Sequence, residues 1–213
     1  MLRLAGLCGV IASLIGVFGV LAAVAACGPG CSETVPYRVN VWIARGDDGG
    51  FSWRSNALSD LGVTGHGWIF NGCLIIAGIL SCLFILGFVH RHRRSGLIRP
   101  TAVLLLSGAV GLALVGVYTE ESLNAHILVS AVYFIAYPLG MVSAGVGLLR
   151  LREAGTGYLS IGAGLSALAV IGSAYWFRVD DMLGVGFAVP EFIEALILAG
   201  WTSIAGMRLL RGL

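Results

Sequence analysis

The densest group of polar side chains in this sequence lies in the segment 55–71, SNALSDLGVTGHGWIFN, directly before a long apolar run. Asn56, Ser59 and Asp60 are spaced three and four residues apart, so one helical turn would place all three on the same side. The spacing predicts a short amphipathic turn over residues 55–62. Its polar side would carry hydroxyl, amide and carboxyl groups that could bind a ligand or take part in proton transfer.

The apolar residues of this segment indicate how the turn is held. Leu58 and Leu61 are three residues apart and would lie opposite the polar side chains. Gly62 follows at a position where a helix end favours a residue able to adopt positive φ. We therefore expect the turn to end at Gly62 and to fold down onto the apolar remainder of the chain.

Further polar residues stand near the ends of apolar runs. Glu191 and Glu194 are three residues apart and would share one face of a helix. A charged carboxylate inside a membrane costs about 2.5–3.5 kcal/mol at the centre and less near the interface, so such residues usually face the protein interior. We expect one outward-facing polar cluster, which consists of Asn56, Ser59, Asp60, Asn71, Glu120, His126, Glu191 and Glu194.

Three functions are compatible with this polar cluster. The first is binding of a lipid or small molecule, whose head group would meet the polar side chains. The second is hydrolysis at the outer leaflet, with His126 as base, Asp60 or a glutamate orienting it and Ser59 as nucleophile. The third is proton-coupled transport, which is disfavoured because the helices carry no ionisable residues toward the opposite side. We rank binding first, hydrolysis second and transport third.

The residue types argue against a metal or an organic cofactor. A metal site would use His126, His66 and carboxylates, but hydrolases of the alkaline-ceramidase type need three histidines on one zinc ion, and only two lie on this side. The chain has no lysine, which excludes Schiff-base chemistry with retinal, pyridoxal phosphate or a carbonyl substrate. We therefore predict neither a metal nor a cofactor.

A purely structural interpretation stays open for each residue. Glu191 could interact with a helix dipole, and Glu120 could be a loop carboxylate in water. His126 could hydrogen-bond a carboxylate, and Asp60 could cap a neighbouring helix. A joint cluster is favoured over these separate roles because polar groups in lipid must find their partners within the protein.

The amino-acid composition indicates which structural elements position these polar residues. Of the 213 residues, 58% are hydrophobic and 11% are charged, and the mean hydropathy is +0.93. Soluble proteins carry about 25% charged residues, so the chain is predicted to be one integral membrane domain with membrane lipids as its partners. The net charge of +2 is too small and too scattered for a nucleic-acid-binding protein.

Six apolar segments are each long enough to cross a hydrocarbon core of about 30 Å. The predicted fold is an all-α bundle of six transmembrane helices with one long outer loop, residues 27–66, between the first two. The first segment follows Arg3 and resembles the apolar part of a signal peptide, but its length favours a retained helix. The segments are 4–26, 67–89, 100–118, 125–149, 157–177 and 189–207.

Arginine placement predicts the orientation, because cytoplasmic loops carry an excess of basic residues. One side would hold Arg3, Arg91, Arg93, Arg94, Arg99, Arg150, Arg152, Arg208 and Arg211. The other side would hold Arg38, Arg45, Arg54 and Arg178. Both termini are therefore expected in the cytoplasm, and the protein is expected to be a multi-pass component of the cytoplasmic membrane.

The outer loop contains two features of its own. Cys27 and Cys31 bracket Gly-Pro-Gly on the oxidising side, where a disulfide is favoured over two free thiols. A zinc site is disfavoured because no second Cys or His pair accompanies them. Residues 35–45 alternate weakly, which is compatible with a short hairpin or an interfacial segment.

Three sequence blocks together resemble a known family. SNALSDLG leads into FNGCLIIAGIL, and GVYTEESLNAHILVSAVYF and AVPEFIEALILAGWTSIAG follow in that order. They are similar to the prokaryotic membrane protein family called "domain of unknown function 998", over residues 55–207. The resemblance implies a six-helix membrane protein with no established activity. Its matched positions are Asn56, Ser59, Asp60, Gly62, Asn71, Glu120 and His126.

The orientation can be tested with reporter fusions. Fusions at Arg94 and at Leu213 should report a cytoplasmic location, because both positions follow arginine-rich segments. A fusion at Asp48 should report an external location. The opposite result at any of the three positions would contradict the predicted orientation.

Overall fold

The structure is a computed structural model that describes residues 1–29, 31, 50–54, 56–177 and 187–212. Six α-helices in these ranges are long and apolar enough to cross a membrane, which confirms the predicted all-α architecture. Each overlaps one predicted segment and ends within about one turn of it. They are α1 (Leu2–Ala26), α2 (Gly67–Arg91), α3 (Ile98–Val117), α4 (Leu123–Arg150), α5 (Ala154–Phe177) and α6 (Ala188–Arg211).

The six helices form a ring in chain order. Each helix packs against the next one along the chain, and α6 closes the ring against α1. We call the end with the connections 92–97 and 151–153 the arginine end. The opposite end, which we call the cluster end, carries two 3₁₀ helices, Leu58–Val63 and Glu120–Ser122. The predicted hairpin at 35–45 lies outside the described residues.

Glycine lets the first and last helices touch backbone to backbone. A Cβ atom added to Gly6 would lie 2.5 Å from the carbonyl oxygen of Gly206, and one added to Gly206 would lie 2.7 Å from the carbonyl oxygen of Gly6. Both distances are shorter than a carbon–oxygen contact allows. Because lipid gives no hydrophobic drive for helix association, close approach of this kind is a main source of packing energy. The Gly6–Gly206 contact therefore closes the ring.

The apolar residues inside the ring form two clusters. The cluster toward the arginine end centres on Phe84, Met141 and Trp201. The cluster toward the cluster end includes Leu61 and Phe70. These two clusters fill most of the ring and leave space between them, where the candidate site lies.

α5 is fixed to α6 by a short polar chain within the apolar interior. The indole nitrogen of Trp201 donates to Ser160 Oγ at 2.8 Å. Ser160 Oγ in turn donates to the carbonyl oxygen of Thr156 at 2.8 Å. The buried indole N–H is thus satisfied within the protein, as a low-dielectric interior requires.

Cys27 and Cys31 lie immediately after α1. Their Cα atoms are 5.3 Å apart and their sulfur atoms are in bonding contact. A separation of about 4.4–6.8 Å suits a disulfide. The geometry is compatible with the predicted disulfide, which stays a prediction.

The Gly6–Gly206 contact gives a test with a matched control. Gly206→Ala should lower the free energy of unfolding by about 1–3 kcal/mol, because the added methyl group meets backbone that cannot move aside. Gly162→Ala adds the same group on α5 where no atom lies within 4 Å, and it should be neutral or stabilising because Ala favours helix. Thermal unfolding in detergent measures both variants. Equal stabilities would contradict the close contact.

Candidate functional site

The polar segment singled out in the sequence forms the 3₁₀ helix Leu58–Val63. Leu58 and Leu61 are buried, with 6% and 1% of their surface exposed. The turn therefore folds down onto the bundle, as the sequence predicted. It covers the cluster end of the ring, and we call it the cap.

The predicted positive φ at Gly62 is wrong. Among the described residues, φ is positive only at Arg152 and Gly212, and the cap ends through Thr64 in an extended conformation. Gly62 is instead required by close packing, since a Cβ atom there would lie 2.6 Å from Asn71 Oδ1. The Asn71 amide occupies that space and donates to the Gly62 carbonyl oxygen at 2.8 Å.

Hydrogen bonds to α6 hold the start of the cap. The Leu58 backbone N–H donates to Glu191 Oε2 at 2.7 Å. The Ala188 backbone N–H donates to the Asn56 carbonyl oxygen at 2.8 Å. The first N–H groups of a helix have no partner within it, so Glu191 supplies from a distant helix what a local cap usually provides.

Ser59 and Asp60 connect the cap to the turn between α3 and α4. Ser59 Oγ donates to Glu120 Oε1 at 2.5 Å. Asp60 Oδ2 accepts from Asn56 Nδ2 at 2.7 Å and from the Ala57 backbone N–H at 3.1 Å, and the Glu120 carboxyl group lies near Asp60. Asp60 therefore caps its own helix and not a neighbouring one.

The environment of Asp60 disfavours its charged form. Burial raises the pKa of Asp60, and the nearby Glu120 carboxylate raises it further, to about 8. The hydrogen bonds from Asn56 and Ala57 oppose this shift only in part. Two carboxyl groups this close repel each other when both are ionised, which favours the protonated form of Asp60.

His126 is held away from Asp60. Its Nδ1 lies 2.7 Å from the Tyr118 carbonyl oxygen, and its Nε2 lies 3.4 Å from Ser130 Oγ. A carbonyl oxygen can only accept, so Nδ1 carries a hydrogen, and in the tautomer that has only this hydrogen Nε2 is an acceptor. Among the described residues, no hydrogen bond joins Ser59, Asp60 and His126 into the relay that the hydrolase interpretation requires.

The two glutamates of α6 are both buried. Glu191 is 9% exposed and Glu194 is fully buried. Neither carboxyl oxygen of Glu194 has a hydrogen-bond partner among the described residues. The predicted cluster residues that form hydrogen bonds within the cap or to it are Asn56, Ser59, Asp60, Asn71, Glu120 and Glu191. Glu194 and His126 form no hydrogen bond to the cap among the described residues.

A cavity of about 100 Å³ lies inside the ring beneath the cap. Its walls come from α1, α2, α3, α4, α6 and the cap, and most of them are apolar. At the cluster end, Ser59, His126 and Glu191 line it. Deeper in the ring, Tyr137 and Thr202 line it and hydrogen-bond each other at 2.8 Å.

The sequence analysis missed the deeper lining residues. Tyr133 and Tyr137 are four apart on α4 and so face the same way, which is a weak local signal. Thr202 gives no local sequence signal, because its hydrogen-bond partner Tyr137 lies 65 positions away in the chain. As for ligands, no group of three or more His, Cys, Asp or Glu residues in the described ranges is placed to hold a metal ion.

Comparison with known proteins adds one match. A family model described as "Protein of unknown function (DUF998)" matches residues 34–208. No curated protein and no solved structure matches the chain.

The raised pKa of Asp60 predicts a pH-dependent stability. Its pKa rises from 3.8 to about 8 on folding, so between these values the folded state binds more protons than the unfolded state. The free energy of unfolding should therefore fall as pH rises toward 8 and level off above it. Asp60→Asn, which cannot ionise, should weaken this dependence, whereas Asp60→Leu should cost about 1–3 kcal/mol because it leaves the donors of Asn56 and Ala57 unpaired.

Thermal unfolding in detergent between about pH 5 and pH 9 measures both effects. Glu121→Gln is the control, because Glu121 is an exposed carboxyl at the same end of the bundle. The same pH dependence in Asp60→Asn and in the unmodified protein would contradict the role assigned to Asp60.

Proposed function

The chain belongs to the DUF998 family of unknown function, and we propose that this multi-pass membrane protein binds a membrane-derived amphiphile inside its helix ring. The apolar part of the ligand would occupy the cavity between the two apolar clusters. Its head group would lie at the cluster end, against Ser59, His126 and Glu191. With the orientation predicted from arginine placement, this site serves the outer leaflet of the cytoplasmic membrane.

The uneven polarity of the cavity is the observation that carries this proposal. Apolar side chains from five helices form most of its walls. His126 and Glu191 line it toward the cap, and the deeper hydroxyl groups of Tyr137 and Thr202 are bonded to each other. Small-molecule sites generally combine apolar walls with a few placed polar groups. Apolar walls with an imidazole and a carboxyl group at one end match a molecule with one apolar and one polar end.

The size of the cavity limits what it encloses. Its volume of about 100 Å³ is smaller than the ~150 Å³ apolar cavity that holds benzene in an engineered protein. It therefore suits a short length of alkyl chain and not a whole lipid. A longer chain would have to continue between helices into the bilayer.

The contact between α1 and α6 offers such a path. These helices touch at Gly6 and Gly206, but toward the cluster end they line the cavity with small residues, which are Ser13, Gly16, Ala195 and Ala199. A Cβ atom on Gly16 would have only Ala77 of α2 within 4 Å. Small side chains leave this part of the α1–α6 boundary thinly filled, which supports a ligand that comes from the membrane.

Hydrolysis is less well supported by the same contacts. A serine nucleophile needs a base within hydrogen-bond reach, and the Ser59 hydroxyl donates to Glu120 instead. His126 is bound to Tyr118 through Nδ1. Ligand binding does not require a hydrogen-bond relay among Ser59, His126 and Asp60, so it is compatible with the observed positions of these side chains.

Binding can be measured with decanol, a neutral probe with a single alkyl chain. The protein in phosphatidylcholine nanodiscs should bind radiolabelled decanol saturably, above the partitioning seen in protein-free nanodiscs. Gly16→Leu should weaken binding at least about tenfold, equivalent to about 1.4 kcal/mol, because the new side chain fills the cavity wall. Gly162→Leu, on a side of α5 with no atom within 4 Å, is the matched control. Decanol uptake that never saturates in the unmodified protein would refute the proposed function.

A further inference from the structure

The described residues at the polar end of the cavity accept hydrogen bonds and include no positively charged side chain, and from this we infer that the bound amphiphile carries an ammonium head group. The inference rests on the proposed function and names the chemical class of its ligand. The side chains concerned are Glu191, His126 and Ser59, which line the cavity beneath the cap.

Glu191 provides the carboxyl partner for the ammonium group. It is 9% exposed, and its Oε2 accepts from the Leu58 backbone N–H at 2.7 Å. Its Oε1 has no hydrogen-bond partner among the described residues. The backbone contact fixes the carboxyl group in position, so Oε1 can face an ammonium group without reorganisation. Hydrogen bonds in which either the donor or the acceptor is ionised are about twice as strong as neutral ones, so the charge of the ammonium group strengthens this contact.

His126 and Ser59 add neutral acceptors. His126 Nδ1 is committed as a donor to the Tyr118 carbonyl oxygen, which leaves the Nε2 lone pair with only the 3.4 Å contact to Ser130. Ser59 donates its hydroxyl hydrogen to Glu120, which leaves its oxygen lone pairs as acceptors. An ammonium group offers only hydrogen-bond donors, and Glu191, His126 and Ser59 present the acceptors that it requires.

The carboxyl groups at this end give an anionic head group no favourable partner. Glu191 lines the cavity, Glu120 lies in the cap network above it, and no arginine is among the described residues that line the cavity. A phosphate, sulfate or carboxylate would therefore meet carboxyl groups without a described cation beside them. Placing like charges together is a common means of rejecting wrong ligands.

Glu194 is an independent second observation. It lies one turn deeper on α6, is fully buried, and has two carboxyl oxygens without described partners. Its helix neighbours Ala195 and Leu198 line the cavity, and so does Tyr133, with which Glu194 interacts electrostatically. A buried carboxyl group without a partner is costly. A positive charge in the cavity would offset that cost for Glu194 as well as for Glu191.

The test compares three probes with the same ten-carbon chain in phosphatidylcholine nanodiscs, namely decylammonium, decanol and decanoate. The unmodified protein should bind decylammonium at least about tenfold more tightly than decanoate, with decanol between them. Glu191→Gln keeps an acceptor for the Leu58 N–H but removes the charge. It should weaken decylammonium binding about tenfold more than it weakens decanol binding.

Glu121→Gln is the matched control, since it removes an exposed carboxyl group at the same end of the bundle and should change none of the three affinities. If Glu191→Gln does not fold, the ranking of the three probes on the unmodified protein still decides the inference. A fourth probe, a lysophosphatidylethanolamine, identifies the source. If lysophosphatidylethanolamine binds tightly and Glu191→Gln weakens its binding, the ammonium group belongs to a phospholipid. If it binds weakly, the ammonium group belongs to a free amine.

The outcomes separate this inference from the proposed function. Saturable decanol binding with decanoate bound as tightly as decylammonium would overturn the ammonium head group and leave amphiphile binding in place. A preference for decylammonium that Glu191→Gln does not reduce would also overturn it. If none of the ten-carbon probes binds saturably, both proposals fail together.

Discussion

Polar groups in hydrocarbon need partners within the protein, and the hydrogen bond from the Leu58 N–H to Glu191 Oε2 meets this need twice. The N–H is an unpaired donor at the start of the cap, and Glu191 is a buried carboxyl group of α6. Each would be costly alone. Joined, they fix the cap to the last helix beside the Ala188–Asn56 bond. Leu58 and Ser59 of the cap line the cavity, so this bond helps to keep the site closed.

Much of the fold was predictable because membrane insertion restricts the options. A segment that crosses lipid must pair its own backbone groups, so length and hydropathy were sufficient to find six helices. The burial of Leu58 and Leu61 followed from their spacing in the same way. The polar cluster was predicted from depth; Ser59 bonds Glu120 and Glu191 bonds the Leu58 backbone of the cap, whereas His126 and Glu194 lie outside these contacts.

The remaining details depend on which helices are neighbours, and the sequence does not show this. Each helix is apolar on all sides, so periodicity does not say which face meets which partner. The pairing of Ser59 with Glu120, and not with His126, follows from where the α3–α4 turn meets the cap. The positive φ predicted at Gly62 was wrong for a similar reason. The constraint on this residue comes from Asn71 on α2, and not from its own backbone conformation.

The closure of the ring through Gly6 and Gly206 has a consequence for biosynthesis. α1 is made first, but its contact with α6 can form only after the last helix has entered the membrane. Until then the ring stays open on one side. The wall that α1 and α6 share is incomplete, and Glu191, whose carboxyl group anchors the cap, is not yet in place. Lipid can occupy the gap during this interval, and the protein would then close around a molecule that was already inside.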